Sequence, residues 1–354
     1  MSGSTGRKLE SMGKILLSYL QEHWPGGNAL EVACLAKITS GWENEIYSFQ
    51  LLDTENASKT DLILRIYPGQ DAQVKSCREF GIMDLLGKTG LPVPAVYLLE
   101  QSGSYFTQPF MIMERILGPS LRDLFSEANA EKRKELVTLF CQLFIDLHRW
   151  DWCHYHSELA QVLPSAYTVT LDDQFERWRG FAGQGLDSAL QWLLERYPTV
   201  SHQAPCLTHG DFHPDNILMA EGLIPYVIDW GGARLQDFRL DLAWTMLLLS
   251  TYGSWEMGEL ILQEYQTLAG MRIPNMGYFQ AVAALRRLLS VYISVNIGAE
   301  KLGMRPGAAV MMIKDLPHLQ KVYQVWWNHT GLELPEILKF LDRLRVPEDM
   351  FGGT

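Results

Sequence analysis

Apolar residues recur every three to four positions over residues 8–24 (KLESMGKILLSYLQEHW). This puts Leu9, Met12, Ile15, Leu16, Tyr19 and Leu20 on one helical face, and PGGN (25–28) stops the helix. The period then drops to two. EVACLAKI (31–38), NEIYSFQLL (44–52) and DLILRIYP (61–68) read as three short strands, connected by TSGWE (39–43) and the polar DTENASKT (53–60). A helix is predicted over roughly 73–90, and the prolines of LPVPAVYLLE (91–100) favour extended chain. PFMIMERI (109–116) reads as a further strand, and LGPS (117–120) breaks the chain. Beyond Gly118 the helical period dominates, over 121–128, 131–151, 172–197, 237–251, 256–269, 277–298, 308–328 and 335–344. One β pair interrupts it, DNILM (215–219) and IPYVID (224–229), joined by the turn AEGL (220–223). The pattern predicts an α+β chain: an N-terminal helix in 1–30, a strand-rich lobe over 31–117 and a helical lobe over 118–354. No internal repeat or low-complexity stretch is present.

The 354 residues are ample for a sizeable core, and 47% hydrophobic with 20% charged is ordinary for a globular chain. A net charge of −11 argues against a nucleic-acid surface, which needs clustered Lys and Arg, and gives cationic ligands a weak, salt-screened attraction. Cys34, Cys77, Cys141, Cys153 and Cys206 are scattered, odd in number and without a CxxC pair; they read as free thiols of a reducing compartment. MSGSTG (1–6) reads as a loose terminus with no signal-peptide pattern. Apolar runs such as LAWTMLLL (242–249) fall short of the roughly 18 residues of a membrane span. The expectation is a cytoplasmic protein with no membrane or nucleic-acid partner.

LTHGDFHPDNILM (207–219) changes the picture, because it packs two histidines, two aspartates and an asparagine between strand-like apolar residues. Such a cluster costs free energy unless its members are paired or serve chemistry. The hairpin after Asn216 returns the chain toward the loop and is expected to bring Asp229 near Asn216. Amide and carboxylate oxygens suit Mg²⁺, and Asp211 is a separate carboxylate able to accept a hydroxyl proton. These are the parts of phosphoryl transfer. A loop Asp and Asn are also common turn formers, and His209 with His213 has the spacing of two metal ligands on a helix, although Pro214 argues against a helix there.

The spacing His209-Gly210-Asp211-x₄-Asn216 followed by Asp229 resembles the kinase catalytic loop. More closely, HGDFHPDNIL, YVIDWGGA and RLDLAW together resemble the aminoglycoside phosphotransferase family, small-molecule kinases on a protein-kinase-like fold that include choline and homoserine kinase relatives. The resemblance implies a two-lobed α+β fold with ATP, or GTP, and Mg²⁺ between the lobes. Asp211 would be the catalytic base, Asn216 and Asp229 the metal ligands, and His209 and Asp241 the braces of the loop. Ser40 and Gly41, in ITSGWENEIYSF (38–49), would cover the phosphates. Arg65 would stand where the family has a phosphate-reaching lysine, and Glu79 where it has that cation's partner. Met113, Glu114 and Ile116 would form the adenine hinge.

Two departures touch phosphate contact: the covering hairpin has one glycine, and the cation is Arg rather than Lys. They keep a nucleotide-binding module without turnover as the alternative reading. A protein kinase is disfavoured, because Gly210 replaces the activation-sensing arginine and Asp229 and Asp241 are too close for an activation segment. The acceptor is expected to be a small hydroxylated molecule, an aminoglycoside, a macrolide or an amino or sugar alcohol. GIMDLLGKT (81–89) has the wrong spacing for a phosphate-binding loop. WDW (150–152) and WW (326–327) read more readily as packing residues than as a ligand cage.

Overall fold

The computed structural model describes residues 2–38, 44–69, 71–163, 175, 176, 178–180, 186–299, 304 and 308–344. In chain order, helix α1 (Ser2–His23) precedes strands β1 (Leu30–Ile38), β2 (Glu45–Asp53) and β3 (Ser58–Ile66). Then come α2 (Ala72–Lys88), β4 (Val96–Glu100), β5 (Phe110–Glu114), α3 (Leu121–Glu127), α4 (Ala130–His148), α5 (His156–Val162) and α6 (Asp187–Arg196). Four short strands follow, β6 (Cys206–Thr208), β7 (Ile217–Ala220), β8 (Ile224–Val227) and β9 (Arg234–Gln236). The last helices are α7 (Phe238–Leu248), α8 (Trp255–Ala269), α9 (Met276–Ile293), α10 (Ala308–Ile313), α11 (Leu316–Thr330) and α12 (Pro335–Leu344).

The chain divides into two compact units. The first comprises Met1–Gly118, Leu218–Gly231 and Gly303–Pro306; the second comprises Pro119–Ile217, Gly232–Leu302 and Gly307–Thr354. In the first, an antiparallel sheet runs in the order β1-β2-β3-β5-β4. Period-two alternation sends Leu62, Leu64 and Ile66 of β3 into a core with Tyr47, Phe49 and Phe110, which Met12, Leu16, Tyr19 and Leu20 of α1 complete. Each such fully buried side chain contributes about 1.5–3 kcal/mol. The same alternation leaves Arg65 on the opposite side of β3, paired across the sheet with Met111.

In the second unit, caps define the helix starts. Ser120 and Asp123 form a capping box on α3, Asn129 caps α4 and Asp237 caps α7. Left-handed Gly270 and Gly331 close α8 and α11. Strands β6 and β9 pair antiparallel, from Cys206↔Gln236 to Thr208↔Arg234. α9 with its π-helical extension, Met276–Gly298, is long and apolar enough to cross a membrane by composition, against the reading of the longest apolar runs. However, 61% of its apolar window is buried inside the protein, which identifies a core helix.

The structure departs from the pattern at several points. Residues 2–6 of MSGSTG belong to α1 and not to a loose terminus, while Met1 lies outside the described residues. β3 begins at Ser58, because the polar Lys59 and Thr60 still pair with Leu52 and Leu51 on β2. α4 stops at His148, and the unforeseen α5 follows a run of turns. In the expected helix 172–197, the described residues 175, 176 and 178–180 are helical and α6 covers Asp187–Arg196, while residues 172–174, 177 and 181–185 lie outside the described residues. The expected helix 308–328 breaks between α10 and α11, where Pro317 lacks the N–H needed mid-helix and opens a new one. α7 runs into a π-helical turn at Leu249–Gly253. Residues 81–88 of the glycine-lysine stretch are plain α2 helix.

Candidate active site

In the first unit, β3 and α2 bring charged groups to the segment that follows β8. Arg65 Nη2 lies 2.5 Å from Asp229 Oδ1 and 3.3 Å from Glu79 Oε1. Burial works against the charged guanidinium, but Glu79 and Asp229 outweigh it and hold Arg65 firmly protonated. The Tyr67 hydroxyl donates to Glu79 Oε2 at 2.8 Å, and burial, then the Glu79 charge, push its ionisation far up. Arg78 donates to the Gly231 carbonyl. Asp229 itself is left-handed, φ 68°, a conformation Asp tolerates better than most residues. Its carboxylate is nearly half exposed, while Arg65 and Glu79 are buried.

In the second unit, residues 208–216 form a loop held from below by α7. Asp241, buried at the first turn of α7, accepts the backbone N–H of His209 at 2.7 Å with Oδ2 and that of Gly210 at 2.8 Å with Oδ1. His209 Nδ1 in turn accepts the Asp211 N–H at 3.3 Å. Gly210 has φ +83°, and a Cβ there would stand 2.6 Å from the Gly232 carbonyl oxygen, so glycine is required twice over. The outcome is a fixed direction for the next side chain, Asp211.

The Asp211 carboxylate is gripped on both oxygens. Trp244 Nε1 donates to Oδ1 at 2.7 Å, and His213 Nε2 lies 3.4 Å from Oδ2. Burial opposes ionisation of Asp211, but the His213 bond and charge and the Trp244 donor prevail and hold the carboxyl below the usual range. His213 also lies 3.2 Å from Asp215 with Nδ1, and Arg122 Nε is 2.6 Å from both Asp215 oxygens. Burial alone would lower the His213 value; its bonds to Asp211 and Asp215 push it up to about 9, leaving an imidazolium at neutral pH. Asn216 Nδ2 donates to the Asp211 carbonyl at 2.9 Å, which turns Oδ1 away as the amide's ligating atom. Arg286 of α9 lies over the Trp244 ring at 4.1 Å and donates to the Gly210 carbonyl at 3.2 Å.

A model of the phosphotransferase enzyme family, APH, matches residues 35–274. The chain belongs to this family. Among curated proteins, it is 26% identical to acyl-CoA dehydrogenase family member 11 of Rattus norvegicus over 227 residues, 61% of this chain and 28% of that one. It is likewise 26% identical to acyl-CoA dehydrogenase family member 10 of Mus musculus, over 60% of this chain and 20% of that one. The match thus spans about a quarter of these relatives' length. Among solved structures, an aminoglycoside phosphotransferase of Ralstonia eutropha JMP134 superposes with TM-score 0.60 at 16% identity, over 90% of this chain and 98% of that one. The GDP and kanamycin complex of APH(2")-IIia gives 0.57 at 16%, over 85% and 97%. The α+β kinase-like fold of the aminoglycoside phosphotransferases is therefore this chain's fold.

The phosphotransferase's sequence-derived site residues fall as follows. Arg65, Glu79 and Asp229 meet in the first unit, and His209, Asp211, Asn216 and Asp241 in the second. Met113 and Glu114 end β5; the Glu114 N–H is already given to the Ala95 carbonyl at 2.8 Å, so of the hinge set Ile116 lies beyond the sheet's hydrogen bonds. Ser40 and Gly41 lie outside the described residues. No helical histidine pair exists, since His213 is extended and precedes a 3₁₀ turn. Trp150 stacks on Tyr155 and Trp326 is fully buried, as a packing role requires, whereas Trp327 is exposed. Sequence reasoning missed Trp244, although RLDLAW contains it, and it missed Arg286, Tyr67 and Arg78.

Proposed function

We propose that this phosphotransferase moves the γ-phosphoryl group of ATP, with GTP as the other purine donor, to a hydroxyl of a small molecule. The observation that carries the reading is the grip on Asp211, whose carboxylate is aimed by Trp244 and His213 on a loop that Asp241 fixes. A carboxylate held ionised and oriented accepts a hydrogen bond from an acceptor hydroxyl and directs its lone pair; positioning supplies most of the acceleration in this chemistry.

The donor set fits magnesium. Asn216 Oδ1 and the Asp229 carboxylate are hard oxygen ligands, and Mg²⁺ binds through one or two carboxylates plus substrate phosphates. Among the described residues no cluster of three or more His, Cys, Asp or Glu offers an all-protein cage, which suits an ion that arrives with a nucleotide. When bound, the ion supplies charge neutralisation across the phosphate oxygens. Arg65 is the cation for those oxygens, and Glu79 and Tyr67 keep it in place. Ser40 and Gly41 are assigned to the phosphate cover and Ile116, with Met113 and Glu114, to the adenine edge. The five cysteines are all free, in keeping with a reducing compartment such as the cytoplasm. No dehydrogenase activity is proposed, because the relatives named for it are several times longer than the matched segment.

An ATP-consumption screen over hydroxylated amines, sugars and acids tests the reading. Asp211→Ala is expected to abolish transfer with nucleotide affinity nearly unchanged, and Asp229→Ala to weaken Mg-nucleotide binding. Full turnover by Asp211→Ala with a confirmed acceptor would refute the base assignment. The Arg65–Asp229 ion pair favours the alternative of a nucleotide-binding module, in which ATP binds but no acceptor is phosphorylated.

A further inference from the structure

The second unit contains a cavity of about 250 Å³ walled by α3, α4, Pro214 of the loop, the end of α7, the π-helical turn and α8. Its surface is largely apolar, with Phe125, Phe140, Leu248 and Met257 among the lining residues. Among the described residues, two charged side chains line it, Arg133 and Arg122, the latter paired with Asp215 at 2.6 Å. Arg122 spends its Nε on Asp215, which leaves its two Nη groups; Arg133 makes one long contact, 3.4 Å, to the Phe125 carbonyl. The cavity is also tied to the reacting carboxylate. Arg122–Asp215–His213–Asp211 form a continuous chain of ion pairs at 2.6, 3.2 and 3.4 Å. Interruption of α7 by a π-helical turn is a common mark of a functional site, and here Leu249 and Tyr252 of that turn form part of the wall.

Resting on the phosphotransferase reading, we propose that this cavity binds the body of the acceptor, and that the acceptor is an apolar-chain hydroxy acid whose carboxylate pairs with Arg122 and Arg133. The apolar walls take the chain by burial, and a bidentate guanidinium suits a carboxylate head. A polycationic sugar meets the guanidinium groups of Arg122 and Arg133 there, and like-charge juxtaposition costs affinity. Kanamycin, streptomycin and hygromycin B occupy the structural neighbours. Discrimination at this cavity runs the other way, against amines.

Calorimetric titration of the full chain with ω-hydroxyoctanoate and with ω-aminooctanol, the same body with opposite charge, decides the matter. The cavity holds about eight groups of water size at roughly 30 Å³ each, which suits this chain length. The acid is expected to bind at least about tenfold more tightly than the amine. Arg133→Glu, an exposed position, is expected to cancel or invert that preference, and Met257→Trp to abolish binding of both by filling the space, with nucleotide binding retained. Equal or tighter binding of the amine, or undiminished acid binding in Met257→Trp, would overturn the proposal. Labelled γ-phosphate transfer separates the two levels. Acid binding as expected with no alcohol ever phosphorylated sinks the phosphotransferase reading and leaves the cavity assignment. Transfer to a cationic alcohol with no binding of the acid sinks the cavity assignment alone.

Discussion

Replacing Asp241 by Ala removes the carboxylate that accepts the His209 and Gly210 N–H groups of the reactive loop. In the native chain its two oxygens accept the His209 and Gly210 N–H groups at 2.7 and 2.8 Å, and Asp241 is essentially without solvent access. Alanine takes the carboxylate acceptor away from both donors. An orphaned buried donor costs about 1–3 kcal/mol, so the pair costs about 2–6 kcal/mol. That is a large share of the roughly 5–15 kcal/mol that keeps a domain folded. Urea unfolding followed at several wavelengths measures the global loss. Amide hydrogen exchange reads the cause, because the two N–H groups are expected to exchange about thirty-fold faster or more, at tenfold per 1.4 kcal/mol. Asp241→Asn keeps one acceptor and sets an amide donor against the other N–H, so it is expected to fall between wild type and Ala. The reasoning is refuted if Asp241→Ala loses less than about 1 kcal/mol and residues 209 and 210 stay protected.

Other expectations follow from the same geometry. His213 has a folded value of about 9 against about 6.5 unfolded, so its stabilisation is complete below about pH 6.5 and is lost as pH rises through 9. The unfolding free energy from urea titrations should fall over that window by at most about 3 kcal/mol, and His213→Gln should flatten the fall. Asp211, depressed when folded, contributes above its unfolded value near 3.9, and that contribution should vanish as acid takes the pH down through the folded one. Arg65→Met takes the guanidinium away from the buried Glu79 and should cost about 3–5 kcal/mol, with Glu79→Gln in the same chain restoring part of it in a double-mutant cycle. Trp244→Phe keeps an aromatic, smaller ring but loses the N–H to Asp211 Oδ1. Turnover should drop by about 10²-fold while nucleotide affinity holds, and equal turnover would remove Trp244 from the positioning of Asp211.

What could be read in the sequence was mostly what is local along the chain. The sheet of the first unit was legible because alternation alone places Leu62, Leu64 and Ile66 on one face. The bonds from His209 and Gly210 to Asp241 span about thirty residues, yet both ends lie in motifs that a family resemblance marks. Boundaries failed where polarity misled. Lys59 and Thr60 look like loop residues yet continue a hairpin arm, since an arm exposed to water needs no apolar side chains.

Arg286 shows where such reading stops. In MGYFQAVAALRRLLSVYI it is one of two adjacent arginines in an apolar helix, and the ordinary inference is a solvated edge. The fold instead lays it over Trp244 and against the Gly210 carbonyl, because α9 packs beside α7 and below the loop. No periodicity encodes that, since the partners lie on other elements. Net charge misleads in the same way. A total of −11 suggests cationic ligands, but charges act over a screening length of about 8 Å, so a cavity's preference is set by the few groups that line it. Here the charged lining groups are Arg122, paired with Asp215, and Arg133, so the charge left over at that wall is positive inside an acidic protein.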